Sequence, residues 1–217
     1  MSQEWSLKRR HMVERQLRGR GIRDERVLSA MLSIPRELFI PGANRESAYS
    51  DEPVGIGYGQ TISQPYMTAL MAQCLELEGP ETVLEVGSGC GYHAAVLGAL
   101  AERVITIELI PELARMAEAN LQAAGRAGNV TFITGDGSLG YPPLAPYDAI
   151  SVAAAAARVP PALLEQLGDP GRLVIPVGPP ADQELRVLRK SAGKIGWRVA
   201  VYCRFVPLVG AESGEAE

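Results

Sequence analysis

Two histidines and three cysteines are all that 217 residues provide of these types, and both shortages exclude chemistry. Metal centres and Ser-His-Asp relays need more imidazole than His11 and His93 supply, so no metal is expected. Cys74, Cys90 and Cys203 are odd in number and widely spaced, which fits reduced thiols rather than a disulfide framework or a zinc site. Cys90 lies near a helix start, where thiol pKa values fall, yet a structural thiol is the better reading. Positive charge is not in excess either. With 21 basic against 25 acidic residues the net charge is −4, which argues against a nucleic-acid partner, and the Lys8-Arg9-Arg10 cluster reads as a solvated helix face. No apolar run is long enough to span a bilayer, and none follows the N-terminal charges as a signal-peptide core would. A cytoplasmic monomer with no membrane partner is expected.

What is present is enough hydrophobic residue, 47%, for one substantial α/β core. Its most informative segment is Val83-Leu-Glu-Val-Gly-Ser-Gly-Cys-Gly-Tyr92. Val83, Leu84 and Val86 suit a short buried parallel strand, and an apolar helix follows the glycines. Gly87, Gly89 and Gly91 lack the β-carbons that would keep a ligand off the backbone, and a helix start offers unpaired N–H groups. Gly87, Ser88 and Gly89 are therefore cofactor-binding candidates. A dinucleotide fingerprint would place a glycine where Tyr92 stands. Glu85, two residues before Gly87, would repel pyrophosphate and attract a cation. S-adenosylmethionine, with its ammonium and sulfonium, fits an acidic turn better than NAD.

Two more carboxylates follow at strand ends. Glu108 closes the run from Arg103, 19 residues after Gly89, about the spacing at which an acid reaches a ribose diol. Val130-Thr-Phe-Ile-Thr runs into Gly135-Asp-Gly137, where Asp136 is positioned to accept from an adenine amino group and Gly137 to let it approach. Each feature alone reads equally well as a turn or a solvated acid. Together they form one acid per βα unit, in order.

Along the chain, residues 7–18 read as a helix stopped by Gly19 and Gly21. A second starts at Asp24 with Val27, Leu28, Met31 and Leu32 on one face and ends by Pro35. Residues 41–62 read as a loop leading to a helix with Met67, Leu70, Met71, Cys74 and Leu75. Strands are expected at 147–152, 172–177, 184–189 and 197–206, the last two as an antiparallel pair, with a helix at 161–167. Residues 1–78 thus form N-terminal helices and a substrate loop, 79–210 a Rossmann-like core, and 211–217 a frayed acidic tail, in one structural domain.

At this point the residues resemble a family, the protein-L-isoaspartate O-methyltransferases, over almost the whole chain. Met12-Val-Glu-Arg-Gln-Leu17, Asp24-Glu-Arg-Val-Leu28 and Ile34-Pro-Arg-Glu-Leu-Phe39 resemble its helical cap. Gly57-Tyr-Gly-Gln-Thr-Ile-Ser-Gln-Pro-Tyr-Met67 resembles its most diagnostic segment, and Arg172-Leu-Val-Ile-Pro-Val-Gly178 and Arg204-Phe-Val-Pro-Leu208 resemble further signatures. The resemblance implies a class I S-adenosylmethionine-dependent methyltransferase fold, a doubly wound sheet of about seven strands with its last two strands exchanged relative to the usual order. It also implies methylation of isoaspartyl carboxylates in damaged peptides and proteins. Where the family commonly has Val-Thr-Ala-Ala, this chain has Val152-Ala-Ala-Ala155, so a hydroxyl at Ala153 is missing. His93 stands where Gln is frequent, and Gly168-Asp-Pro-Gly171 replaces a more usual Gly-Gly.

An isoaspartyl carboxylate, with a pKa of about 4, is already ionised at neutral pH and needs no general base. Position and dryness are what such a protein must supply. Residues 60–64 are the expected clamp, with Thr61, Ile62 and Ser63 binding substrate and Ser63 as the catalytic candidate; the competing role for Ser63 is plain N-capping. The resemblance also suggests that a peptide lies along Arg204 and Val206 and is read through its main chain. The alternatives are a nicotinamide-dependent oxidoreductase, which Tyr92 and Glu85 oppose, a cofactor-binding scaffold without catalysis, and a methyltransferase dedicated to one peptide.

Overall fold

The computed structural model describes residues 3–214. Helix α1 (Gln3–His11) runs into a π-helical turn at Met12–Leu17 and a 3-10 turn at Arg18–Arg20, so the helix expected over 7–18 starts earlier and widens before it ends. The basic cluster on it is not wholly solvated. Arg9 is 4% exposed and donates to the Tyr49 hydroxyl at 2.9 Å and to Glu37 at 3.2 Å, pinning α1 to the chain beneath it. Helix α2 (Glu25–Ser33) is capped by Asp24, which accepts from the N–H groups of Arg26 and Val27. It buries Val27, Leu28 and Met31, while Leu32 faces out.

The expected loop over 41–62 contains a hairpin. Strands β1 (Val54–Gly57) and β2 (Gln60–Ile62) pair antiparallel around Tyr58 and Gly59, both at positive φ, the geometry that matches the twist of a two-residue hairpin. Helix α3 (Pro65–Leu75) follows directly.

The rest alternates strand and helix: β3 (Thr82–Val86), α4 (Tyr92–Gly98), β4 (Arg103–Glu108), α5 (Pro111–Ala123), β5 (Val130–Thr134), β6 (Tyr147–Val152), α6 (Pro161–Gln166) and β7 (Leu167–Val177), closing with β8 (Gln183–Ser191) and β9 (Lys194–Cys203). Helix α5 goes unread above, although Leu113, Ala114, Ala117 and Leu121 form its buried stripe behind a helix-starting Pro111. The seven-stranded sheet has the order β5-β4-β3-β6-β7-β8-β9. The first five strands are parallel and the last two antiparallel, each next to its predecessor in sequence, so β9 is outermost. This is the expected class I methyltransferase sheet with an N-terminal helical extension.

Strand order reverses at β3, and the crevice between the C-terminal ends of β3 and β6 is where open α/β sheets bind ligands. Gly91 brings helices together behind it. A β-carbon there would meet Leu121 Cδ1 at 2.4 Å and the Ala117 carbonyl at 3.0 Å, so α5 packs against the start of α4 only over a glycine. One apolar cluster joins Met12, Ile22 and Met31 of the cap to Val83 and Val96, and runs on to Val187 in β8.

Two boundaries near the crevice differ from expectation. The final strand ends at Cys203, not at 206, so Arg204 and Val206 lie on an extended segment. That segment returns to the sheet through Ala155 N–H to the Val206 carbonyl (2.8 Å) and Leu208 N–H to the Ala155 carbonyl (2.7 Å). Residues 211–214 are not frayed. Ala211 N–H donates to Asp136 at 2.7 Å, Glu212 N–H to the Ser138 hydroxyl at 3.0 Å, and Ala162 N–H to the Glu212 carboxylate at 3.0 Å. The remainder of the expected tail, 215–217, lies outside the described residues. Among the described residues no helix is long and apolar enough to cross a membrane.

Candidate functional site

Two hollows meet over the crevice. The first is lined by the glycine turn (Gly87, Ser88, Gly89), by Glu108, Leu109 and Ile110 after β4, by Gly137, by residues 60–63 and by residues 206–209. The second, about 680 Å³, lies under Arg20, Tyr66, Tyr202 and residues 203–206. Thr61, Ser63, Ala153 and Val206 line both, and so form the wall between them. Ile62 lines only the first and Arg204 only the second.

The turn is built from the sheet upward. Gly87 N–H donates to the Ile107 carbonyl at 2.8 Å, and Gly89 N–H donates to the Glu108 carboxylate at 2.9 Å. The second Glu108 oxygen accepts from Ile110 N–H at 3.0 Å. Glu108 therefore ties the turn after β3 to its own loop, and it stays on the hollow's wall. Gly137 packs so closely that a β-carbon would sit 2.4 Å from Val86 Cγ1.

Glu85 is placed differently from the sequence reading. Its side chain is fully buried under the turn, bonded to the Thr106 hydroxyl, with its other oxygen 3.7 Å from His93 Nδ1, and it does not line the hollow. Burial pushes its pKa up to about 8, and burial pushes His93 down to about 4. Burial disfavours the charged form of both. The attraction for a cation ascribed to Glu85 is weakened accordingly, and the side chain lies beneath the turn rather than on the hollow's wall.

Asp136 also departs from expectation. Its carboxylate accepts from Ser138 N–H (2.9 Å), the Ser138 hydroxyl (2.7 Å) and Ala211 N–H (2.7 Å). Partial burial acts to raise its pKa, but the hydrogen bonds from Ala211 and Ser138 outweigh that and lower it. Gly137, not Asp136, faces the hollow. Cys90 is a buried thiol that burial pushes up to about 11, in keeping with a structural role.

Ser63 is not an N-cap. The cap of α3 is Gln64, with no side-chain cap bond, and Pro65 begins the helix. The Ser63 carbonyl accepts from Arg36 Nη2 at 2.7 Å, whereas its hydroxyl makes no hydrogen bond among the described residues. The segment is further held by Asn44 Nδ2 on the Gly55 carbonyl (2.8 Å) and Gln64 Nε2 on the Asp51 carbonyl (2.9 Å). The sequence reading named no role for Leu109, Ile110, residues 207–209 or Arg36. Leu109, Ile110 and Val209 carry no motif signal, while Arg36, Pro207 and Leu208 fall inside segments read only as resembling the family.

The first hollow has the character of a polar ligand's site. Ser88 Oγ and His93 Nε2 are buried on its lining with no partner among the described residues, and such atoms call for a hydrogen-bonding guest. The glycine walls admit a flat group.

Comparison with known proteins agrees. The family model for protein-L-isoaspartate (D-aspartate) O-methyltransferase matches residues 7–213. A protein-L-isoaspartate O-methyltransferase of Koribacter versatilis is 52% identical over 206 residues, covering 95% of this chain and 92% of the relative. One from Methanoculleus marisnigri is 49% identical over 209 residues, covering 96% and 94%. A solved protein-L-isoaspartate O-methyltransferase superposes with TM-score 0.83 at 28% identity, covering 95% of this chain and 67% of the other. A Plasmodium falciparum structure described as the same enzyme type, in complex with S-adenosyl-L-homocysteine, superposes with TM-score 0.80 at 27% identity, covering 94% and 99%. With the matched model spanning cap, crevice and returning C-terminal segment alike, the chain belongs to the protein-L-isoaspartate O-methyltransferase family.

Proposed function

We propose that the chain transfers a methyl group from S-adenosylmethionine to the free carboxylate of L-isoaspartyl residues in damaged peptides and proteins, and so initiates their repair. The observation that supports this is that Thr61, Ser63, Ala153 and Val206 line both hollows, and on this reading a donor in one meets an acceptor in the other across that wall. Bound in the first hollow, S-adenosylmethionine supplies a sulfonium-borne methyl that an already ionised carboxylate attacks without a general base.

The chain's own residues do the rest. Glu108 holds the ribose diol, and the Gly135–Gly137 turn with Asp136 receives the adenine. Gly87, Ser88 and Gly89 admit the remainder of the molecule close to the backbone, with Glu85 supporting the turn. Ser63 donates its free hydroxyl to the acceptor carboxylate, and Thr61 and Ile62 complete that clamp. Arg204 and Val206 border the peptide's path. Ala153 offers a methyl on the wall between the hollows, which is apolar there. The same reading has the protein acting as a monomer, and in the cytoplasm, the compartment in keeping with three free thiols. Family membership disfavours the oxidoreductase alternative.

Radiolabelled methyl transfer to an isoaspartyl peptide tests the reading, with base-labile release of labelled methanol as the signature of a methyl ester. A protein that binds S-adenosylhomocysteine yet labels no such peptide would instead be a scaffold. Glu108→Gln keeps an acceptor for Gly89 N–H but loses the charge, and it is expected to weaken S-adenosylhomocysteine binding by about 1 kcal/mol, roughly fivefold. Calorimetry reads this directly. An unchanged Kd would end the ribose assignment.

A further inference from the structure

Arg36 is a guanidinium with 0% of its surface exposed, lying just behind the clamp. Its Nε donates to the Ala48 carbonyl at 2.7 Å, its Nη2 donates to the Ser63 carbonyl at 2.7 Å, and its plane lies over the Tyr92 ring, 4.8 Å from the centroid. Nη1 is buried with no hydrogen bond among the described residues. The other buried arginine, Arg9, is neutralised by Glu37 at 3.2 Å. After burial, the largest influences on Arg36 come from Tyr92, through its charge and a side-chain hydrogen bond, and from Cys90 and Tyr49, none of them a carboxylate. A guanidinium does not escape burial by losing its proton, so this one stands charged, dry and without an anion. Removing a charge from water without a counter-charge is expensive, and a fold keeps such a group where an anion arrives to complete the pair.

We infer that Arg36 is a positioning residue for the acceptor carboxylate: it fixes the backbone of Ser63 through the Nη2 bond, and the substrate's anion supplies the counter-charge its burial lacks. This rests on the methyl-transfer reading above. The two effects separate by experiment. The fork sets geometry and so acts on kcat, whereas the charge favours the bound anion and so acts on KM.

Arg36→Met is expected to raise KM for an isoaspartyl peptide about tenfold and to lower kcat about tenfold, with S-adenosylhomocysteine affinity changed by less than about twofold. Arg36→Lys keeps a cation without the fork and is expected to restore most of KM but not kcat. A lowered melting temperature with unchanged KM and kcat per folded molecule overturns the inference, as does a loss of S-adenosylhomocysteine affinity in step with KM. Should neither variant fold, wild-type protein still decides the matter. An isoaspartyl peptide must compete at least about tenfold better than its isoasparaginyl counterpart, and equal competition overturns the assignment. Wild-type protein that methylates no isoaspartyl peptide removes the functional reading itself, whereas active wild type with kinetically normal Arg36→Met removes only Arg36.

Discussion

Ser63→Ala is expected to lower methyl transfer to an isoaspartyl peptide by about 10- to 150-fold, the kinetic equivalent of a charge-assisted hydrogen bond of roughly 1.5 to 3 kcal/mol. Its melting temperature should stay within about 2 °C of wild type. The split follows from the local structure. A serine that caps a helix would cost stability when truncated, but α3 is capped by Gln64 without a side-chain bond and the Ser63 hydroxyl is engaged by nothing else described. The anchor that does matter to folding is the Ser63 carbonyl, which alanine keeps. Single-turnover transfer at saturating S-adenosylmethionine, beside a melting curve, measures both quantities. Transfer at the wild-type rate would remove Ser63 from the clamp.

Paired peptides that differ only in linkage should be methylated with a preference for L-isoaspartyl over normal aspartyl on the order of 100-fold in kcat/KM. The two differ in the placement of one methylene. In-line attack tolerates little displacement of the carboxylate, and the wall of Thr61, Ser63, Ala153 and Val206 gives the acceptor a defined seat rather than an open surface. Comparable rates for both peptides would show that the second hollow admits any carboxylate, and the repair role would fall.

Much of this was legible before any coordinates. Strands β3 and β4 read correctly because parallel strands buried on both faces are short apolar runs, here closed by Gly87 and Glu108, and Asp24 announces α2 by its own chemistry. The hairpin at 54–62 did not read as strand, because Gly55, Gly57 and Gly59 interrupt it and leave too few β-favouring residues in a row. Strand β7 begins at Leu167, ahead of Asp169, Pro170 and Gly171, which look like a turn and not a ladder. At the site, spacing placed Glu108 beside the glycine turn, and a hydrogen bond to Gly89 joins them. Spacing misplaced Glu85 and left Asp136 ambiguous, because it says which strand end carries an acid and not whether that acid points up into the crevice or down into the sheet. Arg36 was invisible for a plainer reason. An arginine between proline and glutamate reads as surface, and only the packed cap shows it enclosed.

The continuous apolar cluster from Met12 through Val83 to Val187 has a bearing on ancestry and engineering. Cap and sheet share that interior, whereas a second cluster, drawn wholly from residues 84–208, belongs to the sheet alone. Grafting another methyltransferase's cap onto this sheet would therefore demand a redesigned shared layer rather than a new joint.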